Sequence, residues 1–288
     1  MDEVKIGIIG GSGLYKMEGL KEIKLLKVST PFGSPSDEIV IGEIEGERIA
    51  FLPRHGRGHR VLPGEVNSLA NIYALKSLGV ERIIGVSAVG SLKGELRPLD
   101  IVIPDQLFDH TKGRPHTFFG NGIVVHIEFA DPYCPDLNKF LIEICITLGY
   151  RVHSKGVYVC IEGPQFSTRA ESQVFRRLGM DIIGMTNMPE AKLAREAEIC
   201  YSTIAIVTDY DVWHAKSSDV TVDLVIKNLL EGVKKAKEII KMLVPLVRNK
   251  KRECKCATAL KDAIITNPKL ISEERKRQLN LIIGRYIK

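Results

Sequence analysis

The sequence has no apolar run near the ~18–20 residues that a membrane-spanning helix needs, so no membrane segment is expected. Its opening residues, Met1-Asp2-Glu3-Val4-Lys5, carry two early acids. They lack the positive start, apolar stretch and small-residue cleavage site of a signal peptide, and the expected location is cytoplasmic. No internal repeat is visible, and no linker is rich enough in Pro, Gly or Ser to mark a second domain. An excess of one charge is also missing: 41 Lys+Arg face 35 Asp+Glu, a net +6 spread over 288 residues. The densest basic block, Arg248-Asn249-Lys250-Lys251-Arg252, is short, which argues against a nucleic-acid partner. With 44% hydrophobic and 26% charged residues, the composition is that of an ordinary globular protein, not of a fibrous or disordered chain.

Six cysteines (Cys134, Cys145, Cys160, Cys200, Cys254 and Cys256) are too few for a disulfide scaffold in a chain of 288 residues. Cys254-Lys255-Cys256 is a C-x-C pair without the second close pair of a zinc knuckle. Reduced thiols suit a cytosolic protein, and a disulfide role suits a hyperthermophile's. The sequence leaves both open.

Residues 4–9 form a buried strand leading into Gly10-Gly11-Ser12-Gly13, and β-rich runs follow at 23–28, 39–44 and 48–52. Their close spacing suggests antiparallel or mixed pairing. From Val66 the period changes. Val66, Leu69, Ile72, Tyr73 and Leu78 recur at helical spacing, with Gly79 as a stop. Strands at 82–86, 156–161, 181–184 and 201–207 then alternate with helices at 135–148, 169–178 and 189–197. This alternation predicts an α/β three-layer sandwich around a mixed, twisted β-sheet. An amphipathic helix is expected over 221–247, then two short helices at 257–265 and 272–286.

Several strand ends carry anion-binding chemistry. Gly10-Gly11-Ser12-Gly13 offers backbone N–H groups and a hydroxyl, although a tight structural turn reads the same. It is not a P-loop, because no Gly-Lys-Ser/Thr follows. It also fails the dinucleotide fingerprint, since the third glycine would fall at Lys16. Arg54-His55-Gly56-Arg57-Gly58-His59-Arg60 follows the run at 48–52, and an Arg fork matches phosphate oxygens. Ser87-Ala88 and Thr186 follow two further expected strands. If these ends converge, they form a polar anion cup at the sheet edge. Asp209-Tyr210-Asp211 reads either as a solvated loop or as an extended pair with both carboxylates on one face.

Taken together, these strings carry a resemblance. Ile6-Gly7-Ile8-Ile9-Gly10-Gly11-Ser12-Gly13-Leu14, Thr30-Pro31-Phe32-Gly33, Arg54-His55-Gly56, Gly90-Ser91-Leu92 and Arg114-Pro115 are similar to the methylthioadenosine phosphorylases within the trimeric purine nucleoside phosphorylase family. So are Glu162-Gly163-Pro164-Gln165-Phe166-Ser167-Thr168, Gly184-Met185-Thr186-Asn187-Met188-Pro189-Glu190 and Thr208-Asp209-Tyr210-Asp211-Val212-Trp213. The resemblance runs in order from about residue 4 to 245. It implies a purine nucleoside phosphorylase-like fold over residues 1–250, with 251–288 as a helical extension packing on the same domain. It further implies a homotrimer or a dimer of trimers with an intersubunit active site. The implied reaction is phosphorolysis of a methylthioadenosine-like nucleoside in methionine and purine salvage. Inorganic phosphate is the co-substrate, and no organic cofactor or metal is expected.

The resemblance assigns Ser12, Arg54, His55, Ser87, Ala88 and Thr186 to phosphate. Phe166 and Met185 fall at the base and ribose, Val225 at the 5′ group, and His126 reaches the 5′ pocket of a neighbouring subunit. Asp209 and Asp211 face the purine. There Asp209 donates a proton to the leaving base and Asp211 supports it. Two aspartates favour adenine, whereas an Asn would suit a 6-oxopurine; a phosphorylase preferring inosine or guanosine is the alternative. The apolar Val225 favours a methylthio group over a hydroxyl, a preference of only ~1–3 kcal/mol per contact.

Overall fold

The computed structural model describes residues 4–11, 13, 14, 19–214, 222–248 and 250–287. Among them, eleven strands form one mixed sheet. The apolar opening becomes strand β1 (Ile6–Gly10), and the next three runs become β2 (Lys21–Leu26), β3 (Ile39–Ile44) and β4 (Glu47–Pro53). β2, β3 and β4 pair antiparallel, as their spacing suggested, while β4 lies parallel to β1. The long strand β5 (Arg82–Ser91) is the hub. Its first half pairs with β1, its second half with β10 (Ile182–Gly184), and its other edge with β11 (Cys200–Asp209). β9 (Val157–Ile161) extends the sheet beyond β10, and β7 (Gln106–His110) lies parallel to β9. The short strands β6 (Ile101–Val102) and β8 (Val152–His153) complete it on the β11 side.

Helices cover both faces. α2 (Pro135–Thr147) and α5 (Val222–Val247) bury Leu137, Leu141, Ile239, Ile240 and Leu243 against one face. α5 approaches β11 closely at Gly232, where a Cβ would collide with Ile206 Cγ2. The other face is covered by α1 (Ser68–Ser77), α4 (Asn187–Glu196) and α6 (Glu273–Ile283), through Ile72, Leu75, Ala191, Leu193, Leu279 and Ile282. α3 (Arg169–Arg177) packs Phe175 against Val159 and Ile183. The result is the expected three-layer sandwich. No helix among the described residues is long and apolar enough to cross a membrane.

Two local expectations change. The helix expected over 257–265 is only a short 3-10 turn, Lys255–Thr258. Its backbone is satisfied elsewhere: Leu260 N–H donates to Glu198 Oε1 at 3.1 Å, and Ile264 bridges to Val125. The strand expected to stop at Val86 runs on to Ser91, because it exchanges β1 for β10 as its partner along the way.

Candidate active site

That exchange of partners opens the site. β1 stays in register with β5 only to Gly85, and β10 takes over at Gly90. Ser87 and Ala88 therefore stand in mid-strand, not after its end as expected, where β5 has lost one neighbour and not yet gained the next. Into that gap comes Thr186, directly after β10. Ser87 Oγ and Thr186 Oγ1 lie 2.6 Å apart, and Tyr158 Oη is 3.2 Å from Thr186. Asn187 Oδ1 accepts from Ser87 at 3.3 Å, and its amide donates to Tyr133 Oη at 2.7 Å. Asn187 is thus a fully buried brace behind the hydroxyls. Ser12 lies outside the described residues. Its neighbours Gly10 and Gly11 sit beside Arg54, whose N–H donates to Gly10 O at 2.9 Å.

Arg54 follows β4 and is 3% exposed. Its Nε donates to Glu190 Oε1 at 2.5 Å and its Nη2 to Glu190 Oε2 at 3.1 Å. Nη1 and Nη2 also reach the carbonyls of Val86 and Ile9 at 2.9 and 3.2 Å. Among the described residues, one Nη1 N–H is left over. Burial alone would lower the Arg54 pKa, but the Glu190 charge and hydrogen bonds raise it above the ordinary value. Glu190 also accepts from Tyr201 Oη at 2.8 Å. His55 Nδ1 lies 2.9 Å from Val61 O. A carbonyl can only accept, so Nδ1 carries the proton and Nε2 presents a lone pair. Burial, then the adjacent Arg54 charge, pull the His55 pKa from 6.5 to about 4. The ring is therefore neutral at physiological pH.

The carboxylate pair sits on the far edge of the same strand. β11 ends at Asp209, paired with Gly90 across an irregularity at Thr208. Gly90 makes the room: a Cβ there would stand 3.1 Å from Asp209 Oδ1 and 3.4 Å from Asp211 Cβ. The extended Asp-Tyr-Asp geometry is not what forms. Asp211 begins a 3-10 turn, Asp211–Trp213, with φ of +50°. The two acids still meet, because Asp211 N–H donates to Asp209 Oδ1 at 2.8 Å. The turn exchanges a shared strand face for a direct backbone bond. Burial, with the Asp211 charge adding to it, raises the Asp209 pKa, although hydrogen bonds from Thr208 and Asp211 pull the other way.

Ser167, quoted above only as part of a motif, holds Asp211. Its Oγ lies 2.7 and 2.9 Å from the two carboxylate oxygens. Ser167 is fixed because Thr168 caps α3 in a capping box with Glu171. Glu190 was likewise unassigned in the sequence reading. Its only signal was an acid set between apolar residues in Met188-Pro189-Glu190-Ala191. Phe166 is 45% exposed beside this edge, and Met185 directly precedes Thr186. His126 is exposed, with its backbone N–H on Ala263 O at 2.9 Å. No hydrogen bond joins it to this cluster among the described residues. Val225 lies in α5, but its side chain is outside the description.

The arrangement combines a hydroxyl-lined cup with a buried acid pair whose Asp209 pKa is raised, the two lying along β5. Residues 5–245 match the model of the phosphorylase superfamily, and the chain belongs to that family. Within it, the sequence is 56% identical to the S-methyl-5'-thioadenosine phosphorylase of Geobacter sulfurreducens over the full length of both chains. It is 52% identical to that of Thermofilum pendens, over 92% of this chain and all of the relative. A methylthioadenosine phosphorylase structure from an Antarctic soil metagenomic library superposes with a TM-score of 0.94 at 50% identity, covering 98% of this chain and 99% of the other. A methylthioadenosine phosphorylase from Schistosoma mansoni in complex with adenine gives 0.85 at 38% identity, covering 90% and 97%.

Proposed function

We propose that this chain cleaves S-methyl-5'-thioadenosine with inorganic phosphate, giving adenine and 5-methylthioribose 1-phosphate. The observation that carries the reading is the placement of a hydroxyl pair and a buried acid pair across one strand, β5, in a chain whose full-length relatives bear that name. Phosphate binds over Ser87, Ala88 and Thr186, with Ser12 and Arg54 as further donors and His55 Nε2 accepting from the P–OH of hydrogen phosphate. A phosphate oxygen attacks C1′ as the C1′–N9 bond breaks, and the electron pair leaves with the purine. The sugar passes through an oxocarbenium-like state, which the phosphate charge stabilises. Asp209 delivers its proton to N7 of the departing base, and Asp211, held by Ser167, fixes its orientation.

Phe166 and Met185 pack against base and ribose, and Val225 against the methylthio group. We read phosphate as a co-substrate, with no cofactor in the chemical step. His126 serves a neighbouring subunit in a trimer or a dimer of trimers, and its exposure suits that role. The test is a substrate panel of methylthioadenosine, adenosine and inosine, each with and without phosphate. Phosphate-dependent adenine release, fastest on methylthioadenosine, is the expected result. Equal or better use of inosine would overturn the adenine preference, and release without phosphate would overturn phosphorolysis.

A further inference from the structure

The opposite end of β11 gathers four sulfurs. Cys134 is the residue before α2, Cys200 opens β11, and Cys254 and Cys256 lie on the tail that follows α5. Their Sγ atoms all lie within 4.8 Å of one another, and Cys200 Sγ is 3.4 Å from Cys254 Sγ. Three of the four are buried and Cys254 is half-buried. The sequence contains no second close pair to match Cys254-Lys255-Cys256, but the fold supplies one from two distant segments. A disulfide brings sulfurs together two at a time, at ~2.05 Å. A tetrahedral zinc ion with bonds of ~2.3 Å needs all four about 3.8 Å apart. Four mutually adjacent sulfurs match the second arrangement.

The surroundings suit the charge. Four thiolates around a divalent ion carry a net charge of about −2. A cavity of about 240 Å³ beside the cysteines is lined by five cations, Arg82, Lys139, Lys250, Lys251 and Arg252, against two acids, Asp136 and Glu253. The supporting backbone is held as well: Cys254 N–H donates to Asp136 Oδ2 at 2.9 Å, Cys134 N–H to Tyr201 O at 2.8 Å, and Cys200 N–H to Glu81 O at 3.0 Å. We propose that Cys134, Cys200, Cys254 and Cys256 form a structural tetrathiolate zinc site that fastens the carboxy-terminal tail to the sheet. As each Zn–S bond forms, a thiol releases its proton to solvent and the ion sheds water, with no change of oxidation state. All four ligand positions come from protein, so no coordination position is open for substrate. Cys200 and Asp209 terminate opposite ends of one ten-residue strand, roughly 30 Å apart at ~3.3 Å per residue. The ion therefore stands apart from the proposed chemistry.

The test starts from the full-length chain purified under reducing conditions. Elemental analysis is expected to give about one zinc per chain, falling at least about tenfold in a Cys254→Ser/Cys256→Ser variant. In that variant the tail beyond residue 250 should become protease-sensitive and the Tm should fall, while turnover at moderate temperature stays within about twofold. Replacing zinc by Co²⁺ in the unmutated chain should give the visible bands of tetrahedral cobalt thiolate, a readout independent of whether the variant folds. Reduced chain that takes up neither ion overturns the proposal. So does a chain whose mass shows two disulfides and which binds no zinc after reduction. Iron at unit stoichiometry in place of zinc also overturns it.

Discussion

The two halves of the site treat charge in opposite ways. In the proposed phosphate half Arg54 is already matched by Glu190, Arg114 behind Thr186 is matched by Glu162, and His55 is neutral. In the base half, Asp209 and Asp211 face each other, and no ion pair joins either to another described residue. The first half is balanced by its own ion pairs, so under the proposed function it would recognise phosphate through hydroxyls, backbone N–H groups and one spare guanidinium N–H rather than by bare charge. The second half is unbalanced by construction: burial first, and the Asp211 charge after it, raise the Asp209 pKa, the direction that the proposed proton donor needs. The surplus of +6 contributes to neither half.

The largest effects should come from breaking each half at its centre. Asp209→Asn preserves size but removes the transferable proton. Turnover on methylthioadenosine should fall by about 10²–10⁴-fold, the usual range for a general acid. Steady-state kinetics measures this, and near-normal turnover would show that another group protonates N7. In the phosphate half, Glu190→Gln leaves the Arg54 charge buried without its counter-ion. Removing one partner of such a pair costs about 3–5 kcal/mol. Denaturant unfolding should record that loss even though Glu190 touches no proposed substrate atom. An unchanged midpoint would mean that the carbonyls of Ile9 and Val86 suffice to hold Arg54.

These two residues also mark the limit of what was legible in advance. The sandwich, most helices and the Asp209 and Asp211 positions follow from periodicity and motif. Glu190 does not, because its role depends on β4 and α4 meeting beneath the cup, a contact between residues 136 apart in sequence. The mid-strand position of Ser87 was missed for a similar reason. An apolar run reveals a strand but not that the strand changes partners halfway. The spacing of the two acids left a solvated loop and an extended pair both open, and neither forms: Asp211 turns away in a left-handed conformation and is returned to Asp209 by its own N–H.

Stability against pH separates the halves by sign. His55 titrates at about 4 in the fold against 6.5 ordinarily. Between these values the unfolded chain binds the additional proton, so His55 makes the fold less stable as pH falls through that window. The slope is up to about 1.4 kcal/mol per pH unit. Asp209 has the opposite sign. Its pKa is raised in the fold, so the folded chain holds the additional proton, and that contribution fades as pH rises through the raised value. Unfolding free energies measured across acid pH should show a shallower acid-side loss in His55→Gln. In Asp209→Asn the fade at higher pH should disappear. If both variants kept the parent profile, neither group would carry the charge state assigned to it.

The smallest effect should come from Ser167→Ala, and it tests how the unbalanced half is held in place. Ser167 has one proton to share between two oxygens of Asp211, at 2.7 and 2.9 Å. Its loss removes one hydrogen bond, worth about 1.5–3 kcal/mol to a charged acceptor. Asp211 keeps its backbone bond to Asp209, so the pair should loosen without separating. With Asp211 orienting the proton donor as proposed, kcat on methylthioadenosine should fall by about 10–150-fold. The KM for phosphate should not move, because Ser167 lies on the base side of β5. A rise in that KM would mean that the two halves are mechanically coupled through Gly90, whose missing Cβ lets the Asp209 carboxylate and Asp211 Cβ pack directly against the strand.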